Sequence, residues 1–402
     1  MTRARTALCV AALGALVLVS SGARADGRAS ASTTLFLEPG TGTTVTNITP
    51  QVDLSQNLGD DVTLSVGYEA DIVSGATERL VDAPGIDVVT GASFDDIRHS
   101  VRGGFEIRHD VASLAGSYTF GTESDYQSHA FSLTAAAELF DRNTRLELSY
   151  ARAFDRVCNL SQPRATEAVE RQALDSSDGC FTENTARTTN DLALHNFQLS
   201  WTQAWTSTLA VQLTATANLA HGFQTNPYRA IWLGRGGAQE HAPEDRARYA
   251  LGVRVNWWLR PIRGAVQLAG RIYRDTWDVE SFTVEVAYEQ HLGSLFRLRA
   301  RGRYYGQSAA AFYSDDYGRE PRGQYFVGDR ELSELTSILV GGRFAFVPES
   351  DDEGHVLGFL AGLELVARFD WLIRDYANFR LSGLEPTDTQ AFVISGGIEA
   401  GW

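Results

Sequence analysis

Residues 280–306 read ESFTVEVAYEQHLGSLFRLRARGRYYG, and two alternations in them decide the fold. Phe282, Val284, Val286 and Tyr288 alternate with Thr283, Glu285, Ala287 and Glu289. After Leu292-Gly293-Ser294 comes a second series, in which Phe296, Leu298, Ala300, Gly302 and Tyr304 alternate with Arg297, Arg299, Arg301 and Arg303. A period of two belongs to a strand, whose successive side chains point to opposite faces. One face here suits lipid and the other water, as in a membrane-spanning barrel. Four arginines on a lipid-facing wall would cost about 2–4 kcal/mol each near the midplane, so the odd-numbered face must line a lumen. The hairpin must pair odd residues with odd, or the faces invert. The register expected from charge sets Glu289 against Arg297 and Glu285 against Arg301.

The same alternation recurs on both sides of this hairpin. Val62, Leu64, Val66, Tyr68, Ala70 and Ile72 form one face of residues 62–72, and Leu209, Val211, Leu213, Ala215, Ala217 and Leu219 one face of 209–219. About sixteen such stretches are expected, each near the length a tilted membrane strand needs. They are 29–37, 44–56, 62–73, 97–108, 111–121, 127–139, 144–155, 191–205, 208–222, 246–259, 264–275, 280–291, 295–306, 332–347, 355–370 and 391–402. Connections after even-numbered strands are short, such as His109-Asp110 and Thr206-Ser207. Long excursions near 74–96, 156–190, 223–245, 307–331 and 371–390 follow odd-numbered strands. This parity is independent of the alternation that defines the strands, and it matches short periplasmic turns with long extracellular loops. The expected fold is all-β, a single closed antiparallel transmembrane barrel over residues 26–402.

Residues 1–25 read as a signal peptide. Arg3 and Arg5 give a positive start, Ala7 to Val19 an apolar core, and Ala23-Arg24-Ala25 a cleavage site. Beyond it no run of about 18 apolar residues offers a spanning helix. Losing Arg3, Arg5 and Arg24 takes the net charge from −15 to about −18, which excludes nucleic acid as a natural partner. All 35 basic residues are arginine. Codon bias and a preference for bidentate pairing with carboxylates or phosphates both account for this.

Trp201, Trp205, Trp257, Trp258, Tyr150, Tyr304 and Trp402 fall near strand ends, where interfacial aromatic girdles sit. The last strand carries Phe392, Ile394, Gly396, Ile398 and Ala400 on one face and ends on Trp402. That ending resembles the C-terminal signal read by the barrel-assembly machinery, although Phe is the commoner last residue. Segments 71–77 (DIVSGAT), 88–93 (VVTGAS) and 303–313 (RYYGQSAAAFY) resemble an uncharacterised family of exported bacterial proteins, domain of unknown function three-five-seven-zero. The resemblance covers nearly all of the mature chain. It implies an outer-membrane barrel of a Gram-negative bacterium and supplies no activity or functional residues.

The candidate site is a luminal charge ladder of Arg271, Glu285, Glu289, Arg297, Arg299, Arg301 and Arg303. It reads either as a network that stiffens the wall or as a basic stripe that guides anions. About twelve luminal arginines face about ten acids, so any anion preference is expected to be modest. Cys158 and Cys180 share the loop 156–190, and in an oxidising compartment they are expected to form a disulfide. No H-E-x-x-H helix or G-x-S-x-G elbow is present, so an enzyme is not expected. A remote alternative is an outer-rim hydrolase using His221, His241 and Asp315-Asp316, the last pair being also a weak calcium candidate. No cofactor or metal is expected. The function expected is a porin-like channel for small polar solutes or ions. The alternative is a non-conducting scaffold of an envelope complex. Outer-membrane lipid and lipopolysaccharide, the assembly machinery and a small polar solute are the expected partners.

Overall fold

The computed structural model describes residues 27–40, 44–76, 88–89, 93–158, 180–181, 189–226, 230–232, 237–317, 323–348, 356, 360–380 and 388–402. The expected signal peptide, 1–25, lies outside them. Sixteen antiparallel strands close into one barrel. In chain order these are β1 (Gly27–Pro39), β2 (Thr44–Leu58), β3 (Val62–Ala76), β4 (Ser93–His109), β5 (Ala112–Thr122), β6 (Tyr126–Leu139), β7 (Thr144–Cys158) and β8 (Thr189–Thr206). They continue with β9 (Leu209–Gly222), β10 (Asp245–Leu259), β11 (Gly264–Asp275), β12 (Glu280–Leu292), β13 (Phe296–Gln307), β14 (Leu335–Phe346), β15 (Gly362–Tyr376) and β16 (Asp388–Gly401). Strand β16 pairs with β1 from Arg28↔Gly401 to Leu37↔Phe392, which removes both sheet edges. Val88–Val89, Ala230–Trp232 and Gly237–Gln239 form a separate three-stranded sheet within the long loops.

Large apolar side chains stand exposed all around the outer wall, among them Leu64, Phe105, Leu133, Leu148, Leu199, Leu251, Val284, Val340 and Phe369. In water such a continuous apolar surface would drive aggregation. Around a closed barrel it is the lipid-facing band, with the main chain hydrogen-bonded from strand to strand around the wall.

Direct cross-strand partners climb toward the long-loop end on passing round the wall. From Ala29, near the bottom of β1, successive partners are Leu54, Val66, Gly103, Tyr118, Phe131, Arg152, His195, Leu219 and Ala247, the last near the top of β10. This stagger is the geometric consequence of strand tilt in a closed sheet.

Two expectations are corrected. The β12–β13 hairpin pairs Glu285 with Arg303, Ala287 with Arg301, Glu289 with Arg299 and His291 with Arg297, two residues away from the charge-matched register. The odd-with-odd parity stands. Leu292 pairs with Phe296, and Gly293, at φ 67°, turns the chain immediately afterwards. Strand β15 runs six residues beyond the expected stop at 370, because Trp371 and Ile373 continue the outward face while Arg374 and Tyr376 continue the inward one. Before it, Val356 and Leu360 form only an isolated bridge.

Candidate functional site

The inner faces of β11 to β15 carry the arginine ladder. Arg299, Arg343 and Arg368 stand opposite one another in a single cross-strand row. Like charges in direct register repel, so this row needs acids on its diagonals. Glu364 meets Arg343 and approaches Arg297 at 3.6 Å. Arg299 hydrogen-bonds the Gln267 amide and lies 3.9 Å from Glu285.

The strongest pairing centres on Asp370, which is 1% exposed. Arg301 donates to both of its carboxylate oxygens from Nε and Nη2, each at 2.9 Å, and Arg368 Nε donates at 2.5 Å. A planar guanidinium fits a carboxylate in this forked manner. The reach depends on Gly341 of β14, directly opposite Asp370, since a Cβ there would lie 1.8 Å from Asp370 Oδ1. Asp370 was not foreseen as a ladder acid. Its parity with Glu364 and Arg368 was the available signal.

Arg271 and Arg303 differ from the rest. Among the described residues neither has a carboxylate within 4.0 Å. Thr283 of β12 pairs Arg271 on one side and Tyr305 on the other, and Arg303 stands two residues from Tyr305 on the same face. Arg271 rests over the Tyr273 ring, 5.7 Å from its centroid. Although Glu285 is the register partner of Arg303, its carboxylate turns to Arg301 and Arg299 at 3.8 and 3.9 Å. Glu289 approaches His291 at 3.5 Å. The opposite wall, β2 to β7, carries the other sign in excess: Asp53 meets Arg102, Glu106 meets Arg108, Glu147 and Glu138 share Arg145, and Asp155 is held by Tyr126 and Ser128.

At the long-loop end the connection after β13 packs onto the inner wall. Arg330 reaches Glu38 of β1, at 2.6 Å, and Arg374 of β15 approaches the same carboxylate at 3.0 Å. Beneath the loops Ala242, Trp277, Val279, Ala310 and Val327 form a small apolar core, with Phe312 and Tyr313 against it. Burial pushes the Tyr313 phenol up. Asp315 accepts three hydrogen bonds from Arg380, one from its main-chain N–H and two from its guanidinium, and the latter two raise the guanidinium above its ordinary value.

Each residue named in the remote hydrolase reading has a partner outside that set. His221 bonds Asp245 on the exposed rim, His241 Nδ1 contacts the Gln324 carbonyl, and Asp315 is occupied by Arg380. Among the described residues no group of three or more His, Cys, Asp or Glu is placed to hold a metal. Cys158 and Cys180 are joined by a disulfide. The Trp402 main chain exchanges two hydrogen bonds with Gly27, at 3.0 and 3.1 Å, and its indole covers the space a Gly27 side chain would need. Trp205 and Trp257 face outward. Trp258 turns inward against His291, contrary to its place in the expected girdle.

The fold and its two faces define a transmembrane β-barrel with a charged lumen. The chain belongs to the family described as "Protein of unknown function (DUF3570)", which matches residues 5–345. No curated protein matches it. Among solved structures it is similar to a bacterial polysaccharide outer membrane secretin, at 10% identity and a TM-score of 0.48, over 93% of this chain and 97% of that one. It is also similar to OccK2 (OpdF) of Pseudomonas aeruginosa, solved in complex with glucuronate, at 8% identity and a TM-score of 0.41, over 94% and 98% of the two chains. OmpT of Vibrio cholerae, in a trimer form, aligns at 11% identity and a TM-score of 0.43, over 94% and 99%.

Proposed function

We propose that this protein is a passive channel of the Gram-negative outer membrane for small polar solutes, with a modest preference for anions. The observation that carries the preference is the pair Arg271 and Arg303. The other arginines of the ladder share Glu285, Glu364 and Asp370, whereas these two meet no carboxylate among the described residues and keep their charge for whatever enters the lumen. Fixed arginines on a water-filled wall attract anions without binding them tightly enough to stop passage. The acids on the opposite wall limit the net selectivity and set a field across the lumen. Sixteen strands about 4.8 Å apart, tilted about 40°, give a Cα radius of about 16 Å, enough for a water path beside the side chains.

The test replaces Arg271 and Arg303 together with Gln and reads the reversal potential of the refolded chain in a planar bilayer under a salt gradient. A shift toward cations supports the reading; an unchanged potential in a folded variant removes it. A second reading, a non-conducting scaffold, draws on the contact of Arg330 with Glu38, which fastens a loop inside the mouth. Absence of conductance in the native chain would favour it.

A further inference from the structure

The outer wall carries a contact that repeats three times and has no part in the lumen. Tyr68 of β3, Tyr118 of β5 and Tyr150 of β7 each place their hydroxyl on Nδ1 of a histidine on the next strand: His99 at 2.9 Å, His129 at 2.7 Å and His195 at 2.9 Å. The ring centroids lie 6.2, 6.2 and 6.1 Å apart. In each case the histidine is two residues above the direct partner of the tyrosine, which is Val101, Phe131 or Phe197. The three pairs occupy six consecutive strands.

They also share one height. His99 stands opposite Thr122 and His129 opposite Phe120, two residues lower on the same strand. His129 stands opposite Phe154 and His195 opposite Arg152, again two lower. That descent offsets the climb of direct partners round the wall. From each histidine the outward face runs about ten residues down its strand, to His109, Leu139 or Trp205. At about 3.3 Å per residue and a tilt of about 40° this spans about 25 Å, the height of the apolar band of such barrels. The histidines therefore mark the upper edge of the hydrocarbon, where lipid headgroups begin.

With the tyrosine hydroxyl donating to Nδ1, a neutral imidazole carries its proton on Nε2; a protonated ring carries one there as well. Each ring thus presents an N–H to the headgroup layer. Between His129 and His195, Arg152 stands on the lipid face with its guanidinium 4.4 Å from the centroid of Phe154, the residue opposite His129. Among the described residues Arg152 has no carboxylate partner. Below His195 the wall is hollowed into a furrow that, with its continuation past Tyr249 to Ile272, Phe282 and the Arg274–Glu280 pair, encloses about 790 Å³; Ala215 and Ala217 form its floor between Phe197 and Tyr249, with Leu199 and Leu251 continuing its sides. Successive histidines lie two strands apart, about 10 Å, which is also about the length of two hexose rings in line.

We infer that His99, His129, His195 and Arg152 form a binding site for the phosphorylated disaccharide head of outer-leaflet lipopolysaccharide, with an acyl chain lying in the furrow at Ala215 and Ala217. Charge-assisted hydrogen bonds from Arg152 and the imidazoles meet the phosphates. The furrow is the feature that requires a lipid rather than a free phosphate. The assignment rests on the outer-membrane placement proposed above and is independent of whether the lumen conducts.

Native mass spectrometry of the refolded chain, titrated with bis-phosphorylated lipid A and with the same lipid stripped of both phosphates, tests it. The native chain should prefer the phosphorylated lipid by about 10-fold or more, since each charged hydrogen bond contributes appreciably. The variant His99→Gln, His129→Gln, His195→Gln, Arg152→Gln should lose that preference while keeping its heat-modifiable gel mobility. Should that variant fail to fold, Arg152→Gln alone, which leaves every Tyr–His pair intact, must lower the preference at least about 3-fold. Equal affinity of the native chain for both lipids, or an unchanged preference in the folded variants, overturns the site. Phosphatidylglycerol binding as tightly as lipid A overturns its assignment to a disaccharide head.

Discussion

Replacing Asp370 with Asn tests the ladder where its geometry is tightest. The carboxylate is 1% exposed and accepts from two arginines, one of them through both nitrogens of its fork. Removing one partner of a buried pair costs about 3–5 kcal/mol, because the other charge is left buried and unpaired. Here Arg368 is 41% exposed and regains water, while Arg301, at 19%, does so only in part. Discounting for that screening, Asp370→Asn should cost about 2–4 kcal/mol. Glu285→Gln removes contacts of only 3.8 and 3.9 Å and should cost about 0–1 kcal/mol. The assay is guanidinium unfolding of the refolded barrel in lipid vesicles, followed by tryptophan fluorescence. Gly341→Ala should reproduce much of the loss by displacing Asp370, and combining it with Asp370→Asn should add little, since both act on one contact. Equal costs for Asp370→Asn and Glu285→Gln, or full additivity with Gly341→Ala, would show that Asp370 is not the hub of the ladder.

Three further outcomes are expected. An unreduced digest should contain the peptides of Cys158 and Cys180 linked, and full alkylation without reductant in protein isolated from the envelope would contradict the bond. Epitopes inserted in the loops 156–190 and 223–245 should stain on intact cells; staining only after permeabilisation would reverse the orientation. Gly27→Val should clash with the Trp402 indole and weaken barrel closure, seen as a lower temperature for the heat-modifiable gel shift, whereas an unchanged shift would show that the seam does not depend on this packing.

How much was legible in the sequence follows from what each feature depends on. The strands and their faces were legible because lipid on one side and water on the other impose a strict period of two, and an even slip preserves it. The hairpin 280–307 shows the limit: parity excluded odd registers, but choosing among even ones by charge put Glu289 against Arg297, while the turn at Gly293 set Glu289 against Arg299. The end of β15 was misplaced because Arg374 and its neighbours fall in the expected loop 371–390, although Arg374 continues the inner face begun by Arg368 and Asp370. Asp370 became the central acid only through the missing Cβ at Gly341, a cross-strand relation that one strand's pattern does not carry. The Tyr–His contacts are not legible in the sequence for a similar reason. Tyr68 and His99 fall on separate strands, and their meeting depends on the stagger of the closed wall.

An open, weakly anion-preferring pore has a direct electrical signature. Single-channel recording of the refolded chain in a planar bilayer under a salt gradient gives conductance and reversal potential together. Discrete openings with a reversal potential displaced modestly toward the anion equilibrium are predicted; silence, or a displacement toward the cation equilibrium, would contradict the claim.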